Sequence, residues 1–524
     1  MSPVLAHAAG IVASTAMLAL CSAIEKPEVF LLWGALAPWL AALERDPDGR
    51  RTVASAVAMS IGFTFAVFSW FPPAVVDFTG VSPVAAFAAL ALTAPLLEPQ
   101  FLAFAVVRWG LRRRGATVWW AAVAATGAWV AVESLAPRLF GNALGHAVYP
   151  YPSLRQVADL GGAVALSALV LLVNQALLLA VAAAPRSARD ALLATATAAA
   201  LLATASAYGH WRLAHLQAAT DGQRPLTAVL VQASMGNYGR LRERVGAFEA
   251  VRRIVDTHTS LSGSASADAE PELIVWPETV YPTTFGSPKS DAGATFDEVV
   301  RNFVDRTGTP LLFGTYHREG DREFNAAVLL APDPPSAPAQ SLYRKARLFP
   351  LTEAVPAWLD SERLRAWLPW LGTWHAGDGG QVLTLPRRDG DSIQVAPLIC
   401  RDAVDPDLAL EAARSGAELI VTVSNDGWFA TTSGAHLHLV VSAFRSIETR
   451  LPQLRATNSG ITAVIDATGA IVERAVVGDR TALVARLRPG SQRATAMRAF
   501  GDWFGYLGAL LAAAMFAVTV RRSR

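Results

Sequence analysis

Eight apolar stretches constrain this chain more than anything else in it. They lie near residues 4–24, 28–44, 52–76, 82–107, 117–135, 159–183, 188–208 and 504–520. Each approaches the roughly 20 residues that an α-helix needs to cross the hydrocarbon of a bilayer. In lipid a segment must satisfy its own backbone N–H and C=O groups, so such runs are expected to be helices. The first run has the position of a signal peptide. It lacks a basic leader, however, and further spans follow at once, so it reads as a retained helix. Charge is correspondingly scarce: 17% of the 524 residues are charged, against about 25% in soluble globular chains.

The loops give the spans a direction. Arg45, Arg50 and Arg51 follow the second span, and Arg108, Arg112, Arg113 and Arg114 follow the fourth. Arg186 and Arg189 follow the sixth; Arg521, Arg522 and Arg524 follow the eighth. The alternate loops hold only Lys26, Arg138 and Arg155. This alternation, twelve basic residues against three, predicts that both termini are cytoplasmic and that residues 210–500 lie outside the cytoplasm. A net charge of +2 supplies no basic surface for a polyanion, which argues against nucleic acid as a partner.

Between the seventh and eighth spans the pattern changes. Apolar runs become short and are bounded by turn residues: 226–234, 272–278, 310–316, 324–332, 393–400, 417–426 and 460–469. These read as strands. Helical patterns intervene at 239–259, 293–306, 407–414 and 435–451. Strands alternating with helices predict an α/β domain. "SGSASADAEPE" (262–272) and "APDPPSAPAQ" (331–340) read as loops. The expected organisation is a polytopic α-helical membrane protein. A seven-span domain fills 1–209, an external α/β domain fills 224–490, and a closing transmembrane helix fills 503–521.

In α/β folds, reactive groups gather beyond the C-terminal ends of strands. "LIVWPE" ends in Glu278, "SLYRKARLFPLTE" carries Lys345 and Glu353, and "VAPLIC" ends in Cys400. A thiolate is a nucleophile, a carboxylate in reach can take its proton, and an ammonium can stabilise an oxyanion. Each residue also has a plain reading. Cys400 serves as a small buried side chain, Glu278 as a charge at a helix N-terminus, and Lys345 as one of a solvated basic cluster. Cys21, the other cysteine, lies in the first apolar run, far along the chain from Cys400, so a structural disulfide is not expected.

Taken together, the order Glu278, Lys345, Cys400 in these contexts resembles the carbon–nitrogen hydrolase, or nitrilase, superfamily. With the spans around it, the chain resembles the membrane-embedded branch of that superfamily, the bacterial apolipoprotein N-acyltransferases. "YPSLRQVADLGG" (151–162), "SNDGWF" (424–429), "SGAHLHL" (433–439) and "LRATNSGITAVIDATG" (454–469) resemble further blocks of that family. The resemblance implies an αββα nitrilase-like sandwich in the periplasm, held to the bacterial inner membrane by eight spans. It implies Glu278 as general base, Lys345 as oxyanion stabiliser, Cys400 as nucleophile and Glu353 as a supporting glutamate. A phospholipid would donate an acyl chain through a Cys400 thioester. A diacylated apolipoprotein would accept it on the amine of its N-terminal diacylglyceryl-cysteine.

Two departures from the family pattern touch the site. Arg401 and Asp402 stand where Tyr-Glu is usual, and Thr352 stands where Gly is usual. Arg401 beside the thiolate is expected to lower the Cys400 pKa. Arg401, Asn425, Trp428 and Trp358 are candidate substrate-binding residues. The segment 355–375 holds Trp358, Trp367, Trp370 and Trp374. It reads either as core packing around a short helix or as an arm dipping into the membrane interface, where Trp is enriched. His436 and His438 stand at i, i+2, which does not present both on one helix face, so packing is expected of them rather than a metal. No Gly-rich phosphate loop is present, and no cofactor is expected. Two other functions keep the same residues: a membrane-tethered amidase or nitrilase acting on a small substrate, and an inactive lipid-binding paralogue.

Overall fold

The computed structural model describes residues 2–22, 28–218, 224–236, 238–332, 340–429, 432–490 and 493–523; the side chains of Ala218, Trp428 and Thr432 are outside that description. Most of the expected loop 331–340 also falls outside it. The chain forms two compact units, Met1–Gln217 with Phe500–Arg524, and Ala218–Ala499.

The first unit is helical. Among the described residues, six helices are long and apolar enough to cross a membrane: Pro3–Cys21, Gly49–Phe68, Val118–Leu135, Leu154–Ala183, Ala188–Gln217 and Trp503–Ser523. A seventh span exists if Pro83–Leu97 and Gln100–Arg113, bent by 48°, count as one. Several starts are dictated locally. Ser2, Ser82 and Thr117 accept the N–H groups of Leu5, Ala85 and Trp120, and proline stands in the first turn after both serines. This is a membrane protein.

The expected count of eight spans is not reached among the described residues. The segment 28–44 is no continuous helix but a 3₁₀ turn, Val29–Trp33, followed by the nine-residue helix Ala37–Arg45. Gly34 and Pro38 break the run, and Asn174 fills the gap from a neighbouring helix. Its Oδ1 accepts the Leu36 N–H at 2.8 Å, and its Nδ2 donates to the Leu32 carbonyl at 2.9 Å. Irregular backbone at membrane depth survives only when protein groups satisfy it in this way. The expected span 52–76 likewise ends at Phe68, and a separate helix, Phe71–Thr79, follows. The span expected at 82–107 bends at Glu98, between Pro95 and Pro99. Trp503–Ser523 packs on Val118–Leu135 through glycines. A Cβ on Gly127 would sit 2.6 Å from the Gly508 carbonyl oxygen, so the backbones touch.

The second unit contains β1 (Leu226–Gln232), β2 (Leu273–Val275), β3 (Tyr281–Thr284), β4 (Leu311–Glu319), β5 (Arg322–Leu330), β6 (Gln340–Arg344) and β7 (Leu383–Pro386). These are followed by β8 (Ser392–Ile399), β9 (Leu419–Ser424), β10 (Gln453–Thr457), β11 (Ala463–Ile465), β12 (Ile471–Arg474) and β13 (Thr481–Leu487). One sheet runs β13-β1-β2-β4-β5-β6, with β3 also on β4; the other runs β12-β11-β10-β9-β8-β7. Strands β1, β2 and β4 are parallel, as are β8, β9 and β10; β3 is parallel to β4, and the other flanking pairs are antiparallel.

The period-2 alternation of strands assigns the layers. Leu226, Ala228 and Leu230 of β1 join Ile393, Val395 and Ile399 of β8 in a core between the two sheets. Val229 and Val231 instead face Ile254 of helix Ala247–Ser266 and Val300 of helix Asp291–Thr307. On the other sheet, Ala396 and Leu398 face Leu408 and Ala412 of helix Pro406–Arg414. The unit is therefore an αββα sandwich. Strands buried on both faces explain why its sequence shows apolar runs rather than alternation.

Candidate active site

Three strand ends meet at one point. Beyond β2, the chain turns through Trp276 and Pro277 to Glu278. Trp276 is buried between Phe303 and Phe313, and its indole Nε1 donates to Ser262 Oγ at 2.8 Å. Gly314 of β4 admits this turn, since a Cβ there would lie 2.5 Å from Glu278 Cα. Lys345 follows β6 and is tied by its N–H to the Asn325 carbonyl on β5 at 2.8 Å. Cys400 follows β8 with φ +49°, the left-handed region. A non-glycine residue held there costs on the order of 1–3 kcal/mol.

Lys345 is the centre of the cluster. Its buried Nζ donates to Glu278 Oε1 at 3.1 Å and to Glu353 Oε1 at 2.7 Å. Asn325 Nδ2 donates to the same two oxygens, at 2.8 and 3.3 Å. The remaining oxygens are also held: the Asn425 N–H donates to Glu278 Oε2 at 2.9 Å, and the Phe349 N–H donates to Glu353 Oε2 at 2.6 Å. Burial works against the Lys345 charge, but Glu278 and Glu353, with Cys400 and Asp402, raise its pKa well above the ordinary value. Lys345 is thus a fixed cation.

The Cys400 thiol is buried, and burial and then Glu278 push its pKa up while Lys345 opposes them. The resting group is a thiol, not a thiolate. Arg401 is not the cation acting on it; its Nη1 donates to the Leu348 carbonyl at 3.0 Å. Asp402 lies fully buried beneath the turn. It accepts from the Arg347 N–H at 2.7 Å, the Tyr343 hydroxyl at 2.9 Å and the Ile399 N–H at 3.2 Å. Burial raises its pKa to about 7, opposed by Lys345 and these donors.

The structure therefore brings Glu278, Lys345, Glu353 and Cys400 together. Asn425 contributes its backbone N–H to Glu278, while its own Oδ1 accepts from Gly427 N–H at 3.3 Å. The side chain of Trp428 lies outside the described residues. Trp358 is 84% exposed and Trp367, at the end of the short helix Glu362–Trp367, is 76% exposed. Core packing therefore does not account for these two. Their segment is rooted in the cluster, with Trp374 N–H donating to the Glu353 carbonyl at 2.9 Å and Gly377 N–H to the Lys345 carbonyl at 2.8 Å. Sequence reasoning missed Asn325; the signal was an amide at the head of the apolar run "FNAAVLLAP".

Of His438 the sequence led only to packing being expected. This residue reaches across from helix Thr432–Thr449. Its ring, the Cys400 sulfur and an Asp426 oxygen lie within 4.8 Å of one another. These could form a metal set, but their nitrogens and oxygens are engaged. His438 Nδ1 is 3.0 Å from Asp426 Oδ1 and Nε2 is 3.1 Å from the Cys400 carbonyl oxygen. Asp426 Oδ1 also accepts from Ser424 Oγ at 2.6 Å, and Oδ2 accepts from Arg455 Nη2 at 2.9 Å. Burial opposes ionisation of Asp426, but His438 and Arg455 hold it well below the usual carboxylate range.

The model of the carbon-nitrogen hydrolase family matches residues 230–497. The chain belongs to this family. The model of the apolipoprotein N-acyltransferase N-terminal domain matches residues 15–176. Among curated relatives, apolipoprotein N-acyltransferase 2 of Treponema denticola is 27% identical over 48% of this chain and 48% of its own length. The apolipoprotein N-acyltransferase of Chlorobaculum tepidum is 32% identical over 40% of this chain and 42% of its own length. That of Geobacter metallireducens is 28% identical over 72% and 70%. The chain thus spans about half the length, or less, of the first two relatives it matches. Among solved structures, Saccharomyces cerevisiae Nit3, of the nitrilase superfamily, is similar with a TM-score of 0.37 and 17% identity. It covers 51% of this chain and 91% of that one.

Proposed function

We propose that this protein is an apolipoprotein N-acyltransferase. It would move an acyl chain from a phospholipid to the α-amine of a diacylglyceryl-cysteine at an apolipoprotein N-terminus. One observation carries the reading: the ammonium of Lys345, fixed between Glu278 and Glu353 beside a buried thiol, anchors by its own backbone a segment that exposes Trp358 and Trp367. A nucleophile alone fits many substrates. A nucleophile joined to exposed tryptophans, in a chain with apolar helices, favours a lipid substrate.

The reaction then has two halves. Cys400 Sγ attacks the sn-1 ester carbonyl carbon of the phospholipid, with phosphatidylethanolamine as the expected donor. Because the resting group is a thiol, its proton must leave during attack, and Glu278 takes it. Negative charge appears on the former carbonyl oxygen, where the Lys345 ammonium stabilises it. The C–O bond breaks, Glu278 returns the proton to the departing lysophospholipid, and a thioester remains. In the second half the acceptor amine attacks the thioester and gives a proton to Glu278. The C–S bond breaks, and the proton returns to Cys400. The arginine-rich alternate loops support a site on the periplasmic side of the bacterial inner membrane. Apolipoprotein and phospholipid are the partners.

Mass spectrometry of protein purified from membranes tests this. A fatty-acyl thioester on Cys400 is expected, absent from Cys400→Ala and discharged by a diacylated lipopeptide. Folded protein without acyl adduct, or an adduct that no lipopeptide discharges, would sink the reading.

A further inference from the structure

Three sequence blocks have no part in the mechanism above, yet they converge on one atom. "SNDGWF" supplies Ser424 and Asp426, "SGAHLHL" supplies His438, and "LRATNSG" supplies Arg455 and Gly460. Arg455, Asp426 and His438 form a continuous buried chain of hydrogen bonds that ends on the carbonyl oxygen of Cys400. Gly460 makes room for it, because a Cβ there would lie 2.2 Å from Asp426 Oδ2.

The direction of the last bond follows from its chemistry. A carbonyl oxygen can only accept, so Nε2 of His438 carries the hydrogen. This holds whichever state Nδ1 adopts, although Nδ1 faces both the Asp426 carboxylate at 3.0 Å and Arg455 Nη2 at 3.1 Å. The carbonyl that receives the bond belongs to the residue whose φ is +49°. Among the described residues, two N–H groups of Arg455, at Nε and Nη1, meet no partner. A buried ion pair left partly unsatisfied is a poor stabiliser of a fold, so stability alone does not explain this chain of groups.

We propose that His438 is a positioning residue for the nucleophile. By donating from Nε2 to the Cys400 carbonyl, with Asp426 and Arg455 orienting the ring, it locks the left-handed turn that aims Sγ between Glu278 and Lys345. The constellation of cysteine, histidine and aspartate thus acts through the backbone rather than on the sulfur. The proposal rests on the acyl-transfer reading for its rate measurement but not for its chemical one.

The test uses the full-length protein in nanodiscs and three variants. His438→Gln can place an amide N–H where Nε2 stands. His438→Asn is one bond shorter and cannot reach the carbonyl. His438→Leu fills the space without a donor. Two rates are measured: thioester formation from a fluorescent phosphatidylethanolamine, and alkylation of Cys400 by iodoacetamide, which needs no lipid. A misplacement of about 1 Å can cost about 10²-fold in rate. Asn and Leu are therefore expected to lower kcat for thioester formation by about that factor, with KM for lipid unchanged. Gln should restore most of the rate, and alkylation should rank the variants in the same order. Equal rates for Gln and Asn, or a wild-type rate for Leu, would overturn the proposal. So would a loss of rate that tracks only the loss of folded protein in thermal melts. If wild type forms no thioester, the acyl-transfer reading fails, and the alkylation series still decides the role of His438.

Discussion

Glu98 and Glu133 in the helical unit, and Glu278 with the half-buried Glu353 in the sandwich, are carboxylates put to opposite uses. Glu98 sits at the bend between two helices and accepts from Gln100 Nε2 at 2.5 Å and Asn142 Nδ2 at 3.4 Å. Glu133 Oε1 accepts the Leu144 N–H at 2.8 Å. Glu133 thus satisfies a backbone N–H where lipid offers no acceptor, and Glu98 holds two side-chain amides at the bend. Glu278 and Glu353 instead share an ammonium, Lys345, next to a thiol. An acid held by amide donors, as Glu98 and Glu133 are, holds structure together. An acid that shares a fixed cation with a nucleophile can take a proton and return it. The partner, not the burial, separates the two uses.

Removing the partner is the strongest way to break that comparison. Lys345→Met leaves two carboxylates facing each other without their cation. Breaking a buried ion pair costs about 3–5 kcal/mol, and thioester formation should fall to background. The matched change in the helical unit, Gln100→Leu, strands one acceptor and should cost about 1–3 kcal/mol, with the rate kept. Unfolding in detergent, read alongside acylation of Cys400, checks both. An active Lys345→Met enzyme would remove the distinction.

Neutralising the acids sharpens it. Glu278→Gln keeps the shape and most of the hydrogen bonds but cannot accept a proton, so kcat should drop by about 10²–10⁴-fold. Glu98→Gln loses an acceptor at the bend, destabilises the protein by about 1–3 kcal/mol and should leave kcat unchanged. A Glu98→Gln enzyme that folds but acylates slowly would mean that the membrane acids also serve the chemistry.

The two units were unequally legible in the sequence. Every expected strand in the sandwich exists, because strands buried on both faces leave continuous apolar runs such as "LTAVLVQ" and "LIVTVS". Short strands at or near sheet edges, such as β7 and β12, bury less and leave no such signal. In the helical unit, apolar composition marked depth but not continuity. The run 28–44 is apolar enough to span, yet it breaks where Asn174, 138 residues away from Leu36, meets its backbone. The catalytic candidates were legible because each ends a strand. Asn325, Asp402 and His438 were not, because their roles lie in contacts between segments distant in sequence. Arg401 was misjudged for the same reason: adjacency to Cys400 in the chain placed its charge beside the thiol, whereas its guanidinium turns to Leu348.

A third kind of buried acid lies between the two uses. Asp402 accepts from the Tyr343 hydroxyl and two backbone N–H groups, and it stands close enough to Lys345 to feel its charge. Its pKa is raised from 3.8 to about 7 in the folded state, chiefly by burial. A raised folded pKa means that the folded protein binds the proton more tightly than the unfolded chain does. The contribution of Asp402 to stability is therefore full below pH 3.8 and is lost as pH rises through about 7. The stability of wild type relative to Asp402→Asn should fall as pH rises across that window and level off above it. Parallel curves for the two proteins would show that Tyr343 and the backbone donors hold Asp402 ionised throughout.

The smallest effect tests whether the comparison extends to the surface. Trp358 is 84% exposed, so Trp358→Ala should change folding stability by no more than about 0.5 kcal/mol. If this side chain enters the lipid interface during acylation, its loss removes burial gained only on the membrane. Burying a large apolar side chain contributes about 1.5–3 kcal/mol, and each 1.4 kcal/mol is about tenfold. KM for phospholipid in vesicles should rise by about tenfold while kcat stays the same, and the difference should vanish with a short-chain, monomeric ester. A kcat effect would place Trp358 in the reaction itself. An unchanged KM would make its exposure incidental, and would leave the lipid reading to stand on the thioester alone.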